Sequence, residues 1–135
     1  MDRIVVSVII ALWAAGAAAQ TQSSPQLANP ASVNCTQQGG TLTIERRPDG
    51  GQFGVCTFTD NYQCEEWALF RGECPNNGLR VTGYATPAGR YCVITGGRYS
   101  VVSAPGAMPE RGSCLLPNGR SCEADAYYAG ACTGR

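Results

Sequence analysis

Eight cysteines, at positions 35, 56, 64 and 74 and then 92, 114, 122 and 132, divide this 135-residue chain into two sets of nearly equal spacing. The gaps are 21, 8 and 10 residues in the first set and 22, 8 and 10 in the second. Three intervals repeated to within one residue mark a tandem duplication of one unit of about forty-five residues. Other residues follow the same phase. Pro30, Gly39-Gly40 and Pro48 recur as Pro87, Gly96-Gly97 and Pro105, and Glu65, Ala68 and Gly72 recur as Glu123, Ala126 and Gly130. A unit of that length buries too little apolar surface to fold alone, so the cysteines are expected to form four disulfides. The chain has no His and no Cys-x-x-Cys pair, so a metal site is disfavoured and no cofactor is expected.

The duplication sets the domain plan. Residues 29–74 form a first cysteine-rich unit, 75–85 a linker with a turn at Asn77-Gly78, and 86–132 a second unit. Residues 1–19 read as a signal peptide, with a charged start, an apolar run from Ile4 to Ala15, and Ala17-x-Ala19 before the expected cleavage. The run is short for a membrane span. Residues 20–28 read as a flexible leader. An exported protein is therefore expected, periplasmic or extracellular, with no stable membrane insertion after cleavage. Its acidic and basic residues balance at ten each, which argues against nucleic acid as a partner. The balance is uneven along the chain: residues 29–74 carry a net charge of −3 and residues 75–135 a net charge of +3. Docking of the halves by charge and two independent beads are both compatible with that split.

Within a unit the signals run in order. Asn29 and Thr86 are helix N-caps, Pro30 and Pro87 suit the first helical position, and the paired glycines stop the helix. Leu42 and Ile44 alternate with polar residues as on a half-buried strand. Pro48-Asp49-Gly50-Gly51 is a turn. A loop of Asp49 to Gly51 sets Ile44 opposite Cys56 and Leu42 opposite Phe58 on one face. In the second unit Tyr99 and Val101 share a face with Cys114 and Leu116. Helical spacing returns in Cys64 to Gly72, with Trp67 and Phe70 three apart. The fold class is α+β: a small disulfide-stapled tandem repeat, each unit helix–β-hairpin–helix.

Three pairings are open within each unit. A ten-residue helix from Cys64 to Cys74 spans about 15 Å, too far for a bridge. The expectation is therefore Cys56–Cys64 with Cys35–Cys74, and Cys114–Cys122 with Cys92–Cys132. A bridge between units stays open as an alternative.

Residues 29–75 resemble a bacterial family, domain of unknown function 333, whose members often carry a hemolysin label. The resemblance rests on Asn29-Pro30-Ala31-Ser32-Val33, Gly39-Gly40, Gly51-Gln52, Cys64-Glu65-Glu66-Trp67-Ala68 and Arg71-Gly72-Glu73-Cys74. The second copy departs from this pattern, with Asp125 at the position of Trp67 and Ala129 at that of Arg71. The resemblance implies an exported protein and brings no catalytic residues with it.

Candidate binding residues are Asp60, Asn61 and Tyr62, inside the expected small disulfide loop, and Trp67 and Arg71. Trp67 and Phe70 are expected to pack in the core rather than form an exposed patch. Glu65 and Glu123 are expected in the first turn of a helix, offsetting its dipole; Glu66, Glu73 and Arg71 are expected on a solvated face. With no His and no Lys, general acid–base and Schiff-base chemistry lack their usual groups. The expected function is that of an exported, disulfide-rich, non-enzymatic binding or structural module, its partner an unidentified extracellular protein. A peptidase inhibitor acting through a disulfide-stiffened loop is the alternative. A membrane-active protein, after the family label, is a third reading, although no long cationic amphipathic helix is apparent.

Overall fold

Each unit begins where its cap residue says it should. In the computed structural model, which describes residues 29–132, the Asn29 side chain accepts from the Ala31 and Ser32 amides and opens helix α1, Pro30–Gln37. Thr86 does the same for the Gly89 amide and opens α3, Pro87–Ile94. The expected signal peptide and leader, residues 1–28, lie outside the described residues. The paired glycines have two different jobs. Gly39 and Gly96 end the helices in the left-handed region, at φ of 84° and 93°. Gly40 and Gly97 lie under sulfur: a Cβ on Gly40 would fall on Cys56 Sγ, and one on Gly97 would lie 2.6 Å from Cys114 Sγ.

After the glycines come β1 (Thr41–Arg46) and β2 (Gln52–Thr57), paired antiparallel with Leu42 opposite Cys56 and Ile44 opposite Gly54. This register is two residues from the expected one. The three-residue loop is Pro48–Gly50, closed by the Arg47 amide on the Gly51 carbonyl at 2.8 Å, one residue earlier than Asp49–Gly51. Because the shift is even, Leu42, Ile44 and Cys56 keep their common face.

The unit is not helix–hairpin–helix. Asp60 and Asn61, at φ of 58° and 60°, reverse the chain again, and β3 (Tyr62–Glu65) pairs with β2 before the short helix α2 (Glu66–Phe70). The second unit repeats the pattern with β5 (Arg98–Val101), β6 (Gly112–Leu115), β7 (Ser121–Glu123) and α4 (Ala124–Tyr128). Each unit is therefore a three-stranded antiparallel meander with a helix at either end. Part of the 75–85 segment, β4 (Leu79–Arg80), adds a fourth strand beside β3 in the first sheet.

All eight cysteines are bridged, but not as expected. The bonds are Cys35–Cys56, Cys64–Cys74, Cys92–Cys114 and Cys122–Cys132, all within units, with Cα separations of 5.7, 5.9, 5.8 and 6.1 Å. Cys56 and Cys64 are indeed cross-strand partners, as are Cys114 and Cys122. Each nevertheless bonds out of the sheet, to a helix or to the returning chain. The 15 Å estimate failed because α2 has only five residues. Gly72, at φ 75°, then turns the chain back, and the Glu73 and Cys74 amides both close on the Ala68 carbonyl at 2.9 and 3.2 Å.

Sulfur fills the unit cores. Cys35, Cys56, Cys64 and Cys74 pack with Ala68 and Leu69 in the first unit, and Cys92, Cys114 and Cys122 with Leu116 in the second. That displaces Trp67 and Phe70, which are 37% and 48% exposed instead of packed in the core. Their rings touch edge to face, 5.8 Å between centroids.

A third core joins the units. Phe53 and Val55, on the sheet of the first unit, pack against Tyr91 and Ile94 on α3 and Tyr127 and Tyr128 on α4, with Val81 from the connecting segment. Arg90 grips the same sheet, donating to both Glu45 carboxylate oxygens at 2.8 Å and to Gln63 Oε1 at 2.8 Å. The halves are docked, and the charge asymmetry enters through this bidentate pair. The docking runs one way. Where the second unit has Tyr91 and Thr95, the first has Asn34 and Gln38; where the first sheet has Phe53 and Val55, the second has Arg111 and Ser113.

Candidate ligand cleft

The junction leaves an open cleft of about 560 Å³. Its floor is aromatic. Phe53 meets Tyr91 edge on at 5.0 Å, and Tyr91 meets Tyr127 at 5.2 Å. One wall is the loop closed by Cys64–Cys74, which presents Glu65, Trp67, Arg71 and Glu73. Facing it are Thr95 and the turn residues Leu116, Pro117 and Asn118 of the second unit. Arg47 and Gln52, at the turn end of the first hairpin, close the remaining side.

Two of the five candidate binding residues, Trp67 and Arg71, line this cleft. Asp60, Asn61 and Tyr62 do not. They sit at the β2–β3 turn, which is no disulfide loop, since Cys56 and Cys64 bond elsewhere. The turn is held instead by the Phe58 amide on the Tyr62 carbonyl at 2.7 Å. It is tied to the docking network, because Asn61 Oδ1 accepts from Gln63 Nε2 at 2.7 Å and Gln63 accepts from Arg90. A disulfide-stiffened loop does exist, but it is 65–73, the cleft wall.

The acids are placed by burial. Glu65 is 8% exposed and is itself the N-cap of α2, accepting from the Ala68 amide at 2.9 Å; Glu123 caps α4 in the same way at 2.8 Å. Burial pushes the Glu65 carboxyl above its ordinary value, against the opposing pull of the Ala68 and Trp67 amides. Glu66 is not on a solvated face. It is 6% exposed and accepts from Ser32 Oγ at 2.5 Å and from Asn29 Nδ2 at 3.3 Å. Gly54 makes room for it, since a Cβ there would lie 2.6 Å from the carboxyl carbon. In the second unit Ala124 takes the position of Glu66, and the Tyr99 ring occupies the space over Gly112. Arg71 and Glu73 do pair at the surface, at 3.1 Å.

Arg47, Gln52, Tyr91 and Tyr127 line the cleft without being candidate site residues of the sequence. Arg47 pairs with Asp49 at 3.1 Å, while its buried Nε has no partner. Gly51 leaves space for that guanidinium. Burial raises the Tyr91 and Tyr127 phenols above their ordinary range, with the Arg47 contact opposing at Tyr91 and the Thr95 contact at Tyr127. For Tyr127 the sequence signal is the replacement of Leu69-Phe70 by Tyr127-Tyr128 between the copies, and Gln52 carries only its place in the family pattern. Among the described residues no helix is long and apolar enough to cross a membrane.

Comparison with known proteins agrees with the duplication. The family model described as a domain of unknown function, DUF333, matches residues 26–73 and again 83–131. An uncharacterized protein YdbJ from Escherichia coli K12 is 31% identical over 48 residues, which is 36% of this chain and 54% of that protein. The counterpart in E. coli O6:H1 matches to the same extent. The chain thus spans about half the length of the curated relatives it matches. No solved structure matches it.

Proposed function

The chain belongs to the DUF333 family, twice over in tandem, and on that premise we propose that it is an exported, non-enzymatic binding module whose ligand site is the cleft between its two units. The cleft carries this reading. It is of ligand-binding size, and the aromatic rings of its floor stand beside polar and charged side chains that converge on it. Its wall is a short disulfide loop, pre-ordered before any ligand arrives, which lowers the entropy lost on binding. Four disulfides suit an oxidising compartment, in keeping with the signal-like start of the chain. The inhibitor reading draws less support, because the Cys64–Cys74 loop holds a helix, not an extended segment that imitates a substrate.

The test is a titration followed by two-dimensional NMR. The oxidised protein is screened against saccharides, short peptides and small metabolites. A ligand should move the Trp67 indole and Gln52 amide signals and spare the Tyr62 region. Ligands that perturb only the β2–β3 turn would refute the cleft as the site. Vesicle leakage with the same preparation should stay at background.

A further inference from the structure

Resting on that reading of the cleft, we propose that its occupant is a neutral saccharide. The charged groups of the lining are tied within the protein. Arg71 is paired with Glu73 and Arg47 with Asp49, both at 3.1 Å, Glu65 accepts from the Ala68 amide, and Glu66 from Asn29 and Ser32. Arg47 Nε, buried and without a partner, is left as a donor that a hydroxyl oxygen can satisfy. A charged ligand would have to break these ties, whereas a hydroxyl can donate to a carboxylate or accept from a guanidinium without displacing its partner. An apolar ligand would strip water from the Gln52 amide and the Arg71 guanidinium and return no hydrogen bond.

Trp67 adds the second half of the recognition. Its ring is steadied by Phe70 at 5.8 Å and remains 37% exposed at the wall. A pyranose has one face of C–H groups that packs on an indole, and an edge of hydroxyls that meets planar amide and guanidinium groups side on. Aromatic surface beside Gln52 and Arg71 offers both. An extended peptide is the rival occupant. Such ligands usually add a strand to a free sheet edge, and β3 pairs with β2 only over Val55–Thr57, so Gln52 and Phe53 are partnered by β1 alone; the tripeptide probe separates it from the saccharide. The second unit has no matching wall, with Asp125 and Ala129 at the positions of Trp67 and Arg71, so one site per chain is expected.

The experiment is calorimetry and NMR on the oxidised protein with chitotriose, maltotriose and a neutral tripeptide as probes. The expected result is binding of at least one trisaccharide at one site per chain, moving the Trp67 and Gln52 signals. Trp67→Ala should weaken that binding about tenfold, and Gln52→Ala, at an exposed position, by a smaller factor. Tyr62→Ala, outside the cleft, should leave it unchanged. A tripeptide that occupies the cleft while both saccharides fail would overturn the saccharide assignment and leave the cleft reading standing. Saccharide binding that survives Trp67→Ala at full strength would also overturn it. Silence of the cleft signals toward all three probes and the wider screen would remove both.

Discussion

At the scale of single residues, two neighbouring glycines show how the same residue type answers different constraints. Gly39 supplies a left-handed turn into open space, whereas Gly40 sits against the Cys35–Cys56 sulfurs. Gly39→Ala should therefore cost about 1 kcal/mol, the backbone term alone. Gly40→Ala and Gly97→Ala should each cost about 3 kcal/mol, through overpacking of a bridge that cannot move aside. Chemical denaturation checks both, and equal losses at 39 and 40 would contradict the steric account. Glu65 gives a second prediction. Its carboxyl is raised in the folded state by burial, so the unfolded chain gives up that proton first. Its contribution to stability is full below the unfolded value, about 4.3, and is lost as pH rises through the folded one. Glu65→Gln keeps an acceptor for the Ala68 amide and has no charge to bury. Its melting temperature should gain on that of the wild type as pH is raised from about 4 toward neutrality; parallel curves would refute this.

At the scale of elements, the sequence was legible wherever a signal was local. The caps at Asn29 and Thr86, the glycine stops, the first hairpin and the recruitment of every cysteine into a bridge all follow from short spacings. The pairing was not legible, because it turned on the length of α2. Gly72, a left-handed glycine just past Phe70 like Gly39 after α1, marks the helix end, but a helix drawn through to Cys74 ignores it. The third strand was hidden for a similar reason, since Asp60 and Asn61 reverse the chain without glycine. Trp67 was misplaced because volume that an aromatic ring would normally fill is taken by four sulfurs. The observed bridges close loops of 21 and 10 residues in the first unit, worth roughly 3.3 and 2.7 kcal/mol in the chain-entropy model. Replacing Cys64 and Cys74 together by Ser should therefore cost about 3 kcal/mol and broaden the Trp67 signals. Full reduction should abolish the near-UV circular dichroism, and a reduced protein that kept it would contradict a sulfur-built core.

At the scale of the whole molecule, docking decides whether there is a cleft at all. The junction rests on Phe53, Val55, Tyr91 and Ile94 more than on charge, so the radius of gyration should be small and the same at low and high salt. Phe53→Arg should enlarge it and erase ligand binding, while each unit keeps its disulfides; scattering that shrinks with falling salt would point to charge as the main force. Charge asymmetry along the chain hinted at association, but the face that mates was written in Phe53 and Val55, whose partners Tyr91, Ile94, Tyr127 and Tyr128 lie from about forty to over seventy residues away.

The one-way character of that junction has a wider meaning. Copies that join front to back, unlike a pair related by a twofold axis, leave a receptive surface at each end and are prone to grow into fibres. Here the outer positions are Asn34 and Gln38 on one side and Arg111 and Ser113 on the other, so a third copy would meet polar side chains where it needs an apolar seat. Divergence between the two repeats has given each one mating face and left the opposite face polar, which disfavours front-to-back growth.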